Sequence, residues 1–173
     1  MKKIIFILTL LFTFFGSYSQ QTDVFDIARK GTVEQMRTLY EKTPEIINSV
    51  NDKKSSPLIL STYLGNTAVA LFLADKVKNI DYNSGYGTAV MAAVMSADIA
   101  VLQKLISLKA NLNLTDVHGK TALMYAVFFN KNEIAQLLVK SGADKNLKDK
   151  DGKSALDIAQ YNKNTDLIIL LDQ

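Results

Sequence analysis

The chain contains one histidine, His118, and no cysteine. An imidazole can act as a general base or as a metal ligand, so the stretch HGKTALMYA, which it opens, is the first place to look for chemistry. A catalytic role requires a nucleophile and an orienting acid converging on the ring. A transition-metal site requires further histidine or cysteine ligands, and the sequence supplies neither. Asp149 and Asp151 ahead of Gly152 have the start of a calcium loop, but its third acidic position and closing glutamate are missing. NSGYGT, from Asn83, has the glycines of a phosphate loop without its lysine or spacing. Lys145, Lys148, Lys150 and Lys153 alternate with Asp144, Asp149 and Asp151, which reads as a solvated surface of mixed charge. No catalytic residue, metal site or cofactor is expected.

HGKTALMYA returns 33 residues later as DGKSALDIA, and the elements around it explain why. Four frames align, SPLILS from Ser56, TAVMAA from Thr88, TALMYA from Thr121 and SALDIA from Ser154, at steps of 32, 33 and 33. Gly65, Ala97, Asn130 and Lys163 follow them as a second landmark, and Gly31, 34 residues before Gly65, extends that series to a degenerate copy VFDIARKG. A third runs through Asn48, Asp81, Asn113 and Asn146. Three registers with one period describe about five copies of a single unit.

Each unit reads as two short helices and an extended finger. Thr121 and Ser56 are N-caps whose hydroxyls can accept from otherwise unpaired first-turn N–H groups, and Pro57 falls at the first helical position. The first helix of the fourth unit covers ALMYAVFF and stops at Asn130, which tolerates a left-handed backbone; Gly31 and Gly65 are expected to do the same. Glu133 opens a second helix, EIAQLLVK, with Ile134, Leu137 and Leu138 on one face and Glu133, Gln136 and Lys140 opposite. Gly142 ends it. Helices this short need neighbours, so the units must stack into an all-α solenoid.

These residues resemble ankyrin repeats, whose frame is T-P-L-H-x-A in about 33 residues. The resemblance runs from about Thr22 to Gln173; SGADKN at Ser141 matches the family's G-A-D-x-N close, and KANLN at Lys109 is a weaker version. EKTPEIINSVND is similar to the longer finger approach of first repeats. Approximate repeats are 22–50, 51–82, 83–115, 116–148 and 149–173 within a domain covering 20–173. The family histidine is replaced by Ile59, Met91, Met124 and Asp157, so its hydrogen bonds between repeats are expected to be lost and the array to be weaker. The resemblance implies a non-enzymatic module that binds another protein through a concave groove and finger tips.

Residues 1–19 have the order of a secretory signal peptide. Lys2 and Lys3 precede an apolar run, Ile4 to Phe15, and Ser17 and Ser19 supply small residues for cleavage before Gln20. The run is too short to span a membrane, where about 20 apolar residues are needed. Lipoprotein attachment has no cysteine to use. Without Lys2 and Lys3 the 20 Lys and Arg fall to 18 against 17 acidic residues, leaving little electrostatic attraction for nucleic acid. The expected address is the periplasm, or the exterior.

In the ankyrin frame the ends of the first helices and the finger tips face the groove. That places Tyr63, Leu64, Met95, Phe128, Phe129 and Tyr161, with Tyr86, Val117, His118, Lys120, Lys150 and Lys153 on fingers, as candidate partner-binding residues. About half of the paired helix-end residues are expected to pack on a neighbouring unit, and the rest to line an aromatic and methionine strip. A ligand-binding or enzymatic groove would need convergent acids at matched positions, and none appears. An inhibitor or immunity protein for a secreted enzyme is a narrower form of the binding reading. The last helix, TDLIILLDQ, is apolar at Leu167 to Leu171 where a terminal cap is ordinarily polar, which fits either a cap folded over the core or self-association.

Overall fold

A computed structural model describes residues 23–172, so the signal-peptide reading of residues 1–19 lies outside the described residues. The described chain is all-α, with five successive helix pairs: α1 (Val24–Lys30) and α2 (Val33–Lys42), α3 (Pro57–Tyr63) and α4 (Thr67–Ala74), α5 (Ala89–Ser96) and α6 (Ile99–Ser107), α7 (Ala122–Phe128) and α8 (Asn132–Lys140), α9 (Ala155–Tyr161) and α10 (Thr165–Asp172). Each second helix packs on its own first helix. The first helices stack in the order α1, α3, α5, α7, α9, so every unit touches its sequence neighbours. Among the described residues there is no strand; the fingers are extended, with one isolated antiparallel bridge between Lys148 and Ser154.

The recurring hydroxyls do the capping that their spacing predicts. Ser56, Thr88, Thr121 and Ser154 accept from the N–H groups of Ile59, Met91, Met124 and Asp157 at 3.2, 3.4, 3.2 and 3.2 Å. At the other end of each first helix, Gly65, Ala97, Asn130 and Lys163 have φ of 74°, 57°, 53° and 55°, the left-handed stop that the second landmark implies. Gly31 departs from that expectation. Its backbone is extended, at φ −83° and ψ 179°. Glycine stands there for space, because an added Cβ would lie 2.6 Å from Ile27 Cα and 2.7 Å from its Cγ2.

The single 32-residue step has a local cause. Asn51, Ser84, Asp116 and Asp149 hold corresponding places at the base of their fingers. Four residues separate Asn51 from Ser56, Asp116 from Thr121 and Asp149 from Ser154, whereas three separate Ser84 from Thr88. In the longer fingers the side-chain oxygen of Asn51, Asp116 or Asp149 accepts from two backbone N–H groups at 2.8–3.0 Å. In the short finger Ser84 Oγ instead accepts from Tyr86 N at 3.1 Å and donates to Gly87 O at 3.0 Å.

Polar ties join the units even though the family histidine is absent. Asn48, Asp81 and Asn113 each accept from a backbone N–H of the next unit, Lys78, Asn111 and Asp144, at 2.9, 2.7 and 2.8 Å. The residue after each left-handed stop reaches backwards where its chemistry allows. Asn66 donates to Ile27, Ala28 and Gly31 carbonyls, and Lys131 Nζ donates to Val94 O at 2.7 Å and Met95 O at 2.9 Å. Asn162 supplies the same tie to Val127 and Phe128. Met91 and Met124 are meanwhile buried at the histidine position, and Asp157 completes a capping box with Ser154. The expected loss of inter-repeat hydrogen bonds is therefore made good by different side chains. Lys131 is itself partly buried, and desolvation holds its ammonium below the ordinary lysine value.

Thr62 is fully buried in α3, and its hydroxyl has no hydrogen-bond partner. The corresponding residues of the next two units are Val94 and Val127, both buried. Thr62→Val keeps the shape and removes an unsatisfied group whose burial costs about 1–3 kcal/mol. The variant is expected to raise the urea midpoint at neutral pH by the equivalent of about 1 kcal/mol. In α10, Leu167 and Leu171 are buried and Ile168 and Leu170 half-buried, as a cap folded over the core requires; Ile169 is 58% exposed.

Candidate functional site

The fingers and first helices of units two to four enclose a cleft of about 340 Å³. Its walls are Ile59 and Tyr63 from α3, Met91, Ala92 and Met95 from α5, and Tyr125 from α7. Lys53, Ser55 and the third finger, Ser84 to Thr88 with Tyr86 at its tip, form the other side. Gly85, Gly87 and the one-residue shortening thin this finger. At Gly87 (φ 144°) an added Cβ would stand 3.1 Å from Met91 Sδ. The fourth and fifth fingers carry Lys120 and Lys153 at the place Gly87 occupies. The cleft is thus a product of the irregular repeat.

Tyr125 closes one end. Its hydroxyl donates to Asp116 Oδ2 at 2.5 Å, and burial, then that hydrogen bond and the carboxylate's charge, push its pKa up to about 12. The phenol is a fixed donor at ordinary pH. Its ring stacks on Phe129 at 6.4 Å and 13°, and Phe129 meets Phe128 edge-on at 5.1 Å. An aromatic path therefore leads from the cleft to the end of α7. Among the described residues, the cleft wall contains no carboxylate and no histidine.

The predicted residues divide into three groups. Tyr63, Tyr86 and Met95 meet in the cleft, while Phe128 and Phe129 join it through Tyr125. Leu64 and Tyr161 lie at the ends of α3 and α9, Tyr161 86% exposed. Val117, His118, Lys150 and Lys153 are exposed on the fourth and fifth fingers. Of the helix-end pairs, Asn162 reaches the preceding unit, donating to the Val127 and Phe128 carbonyls, and Ser96 is half-buried, whereas Tyr63, Leu64, Met95, Phe128, Phe129 and Tyr161 remain exposed. Short helices that stop one turn past the stacked core leave these rings outside it.

Lys120 differs from the other fingertip candidates. Its ammonium is paired with Asp149 of the next unit, whose side chain is only 2% exposed. Its charge holds two units together and is removed from the tip surface. His118 contributes its backbone, with its N–H donating to Asp116 Oδ1 at 2.8 Å and its carbonyl accepting from Lys150 N at 3.0 Å. Ile59, Met91 and Tyr125 are cleft residues that sequence reasoning missed. Their positions in the repeat frame are ordinarily core positions; Met91 stays buried while lining the cleft, and Ile59 and Tyr125 are half-buried.

An array of stacked helix pairs with extended fingers and a groove between the two layers defines a repeat-type interaction scaffold. Residues 90–173 match the family model for ankyrin repeats, in 3 copies, and the all-helical fold is that of an ankyrin-repeat solenoid. The same caps, left-handed stops and inter-unit ties continue upstream of the matched residues through the second unit. A search of curated proteins finds no match to the chain. Ankyrin repeats generally mediate protein–protein interaction, and domains built from them are typically non-enzymatic. No helix among the described residues is long and apolar enough to cross a membrane.

Proposed function

We propose that this protein is an exported, non-enzymatic binding module that holds a partner protein in the groove between its fingers and first helices. The observation that carries the proposal is the aromatic and methionine surface that runs from the exposed Tyr63, Tyr86 and Met95 through the half-buried Tyr125 to the exposed Phe129 and Phe128. Apolar rings gathered at the centre of a concave face are the usual anchors of protein interfaces. A cleft wall with neither carboxylate nor histidine favours binding over acid–base catalysis. Export rests on the order of residues 1–19, and it assigns the partner to the periplasm or exterior.

The test uses the chain from Gln20 as bait against a periplasmic fraction, alongside a Phe128→Ser/Phe129→Ser variant. Phe128 is 56% exposed, so the double variant is expected to keep its helical circular dichroism and thermal midpoint within a few degrees. Proteins retained by the parent are expected to fall at least tenfold with the variant, in line with removal of hot-spot rings. Equal retention by both would remove the groove as the site.

A further inference from the structure

The chemistry of the cleft narrows the kind of partner. Its floor is apolar and deep enough for one large side chain, with Ile59, Met91 and Met95 as lining and the rings of Tyr63 and Tyr86 beside it. The hydroxyls of Tyr63 and Tyr86 make no hydrogen bond among the described residues, so both are available to a ligand. Lys53 stands at the mouth and, like Lys54, Lys150 and Lys153 on the finger tips, forms no ion pair among the described residues.

Of these, Lys153 interacts with the Asp157 carboxylate, whereas the acids near the other three form no ion pair with them. Asp116 and Asp149 are buried, held by turn N–H groups and by Tyr125 and Lys120 respectively. That leaves Asp52 and Asp151 as exposed fingertip carboxylates against Lys53, Lys54 and Lys150. The whole chain outside its leader is nearly neutral, so this excess is a property of the finger edge. Complementary charge steers encounter and selects among partners.

We infer that the cleft opened by the short third finger seats one large apolar side chain from an acidic segment of the partner protein, with Lys53 meeting the adjacent carboxylate. The inference rests on the groove reading above and specifies what enters the groove. The apolar floor excludes a ligand recognised by charge alone. The unpaired lysines and free tyrosyl hydroxyls favour carboxylates over cationic groups at the mouth. The occupant is therefore an extended acidic stretch with an embedded leucine-sized residue.

The experiment uses the chain from Gln20, with its methionine methyls labelled with carbon-13, and the acetylated, amidated pentapeptide Gly-Asp-Leu-Asp-Gly. Met91 and Met95 line the cleft, whereas Met36 and Met124 are buried elsewhere and serve as internal controls. Titration is expected to shift Met91 and Met95 alone, with a Kd of about 1 mM or tighter, a level reasonable for one anchor and one ion pair. Replacing both aspartates by asparagine, or using the Lys53→Met protein, is expected to weaken binding about fivefold, the worth of one partly exposed charge contact. Replacing the leucine by alanine is expected to abolish the shifts.

No shift at about 10 mM peptide, equal binding of the asparagine peptide, or full binding of the alanine peptide would each overturn the inference. So would peptide-free methyl shifts on dilution of the protein, because they would assign the cleft to a second copy. The groove reading has its own readout. Loss of capture in the Phe128/Phe129 variant without peptide binding leaves the groove standing and removes only this occupant. Peptide binding with capture unchanged in that variant does the reverse.

Discussion

Lys120→Met is expected to destabilise the array by about 2–3 kcal/mol and to make it sensitive to mild acid. The Asp149 side chain is almost fully buried at the junction of the fourth and fifth fingers. One of its oxygens accepts from Asp151 N and Lys153 N at 3.0 and 2.9 Å, while the other is held by the Lys120 ammonium. The Lys120 hydrogen bond, assisted by the turn N–H groups and by the positive charge, holds the carboxyl below the ordinary aspartate value against the opposing effect of burial. A depressed carboxyl stabilises the fold fully above its unfolded value of about 4 and ceases to do so as pH falls through the folded value. Removing the lysine leaves the charge buried with only the turn to satisfy it. The folded value then rises, and stability is lost from a higher pH downwards. Urea midpoints of parent and variant at pH 7 and pH 4.5 test this (parent nearly unchanged between them, variant lower at pH 7 and lower again at pH 4.5). Equal midpoints for the two proteins at both values would show that the pair is dispensable. The figure lies below that for a wholly buried pair because Lys120 remains about one-third exposed.

The same finger shows what a repeat sequence makes legible. Caps and left-handed stops appear in the sequence because every unit solves the same backbone problem at the same position with a few interchangeable residues. Ser56, Thr88, Thr121 and Ser154 each place a hydroxyl over the N–H three residues on, so their common chemistry survives any difference in the core. The ties between units are less visible, because unlike side chains reach the same kind of acceptor. An asparagine amide at Asn66 and a lysine ammonium at Lys131 both donate to carbonyls at the end of the first helix of the preceding unit. At the corresponding position Asp98 has no donor to offer, and accepts from Thr67 at 2.5 Å instead. No single-letter pattern connects these three residues. A missing histidine therefore looks like a lost contact when the contact has been replaced.

The cleft was hidden for a related reason. The 32-residue step is plain in the sequence, but its meaning depends on where the missing residue falls. A deletion inside a helix would rotate every later side chain about the helix axis. The shortening lies in the finger, so α5 keeps its register, and Met91 Sδ comes close to Gly87, where the later fingers carry a lysine. Tyr125 is unremarkable in sequence as well, since the corresponding residues are Leu60, Ala92 and Ile158. Its role follows from Asp116, which, unlike its counterpart Asp149 before Ile158, receives no lysine from the preceding finger and takes the phenol instead.

Gly119→Ala is expected to cost about 2–4 kcal/mol, whereas Gly152→Ala, at the matching place one unit later, is expected to cost about 1 kcal/mol. Both glycines have left-handed backbones, at φ 77° and 74°, and both residues follow a fingertip side chain in the same turn. The left-handed penalty is thus common to the two and accounts for the smaller figure. The difference lies in what faces them. A Cβ at Gly119 would stand 2.9 Å from Lys150 N and 3.2 Å from Asp149 Cα, whereas a Cβ at Gly152 would meet nothing within 4 Å. Lys150 N is also the donor to His118 O, the backbone bond that joins the fourth finger to the fifth. Backbone cannot turn aside as a flexible side chain can, so the methyl group must push the two fingers apart. That movement lengthens this hydrogen bond and disturbs the neighbouring Lys120–Asp149 pair. Paired thermal and urea unfolding of the two variants measures the contrast, because the shared strain cancels in the difference. Equal losses would mean that the fingers separate without cost, and the tight junction between units four and five would then contribute nothing to the stack. The expected contrast puts the stability of this junction in the close approach of two finger backbones, with the sole histidine contributing a carbonyl oxygen to it.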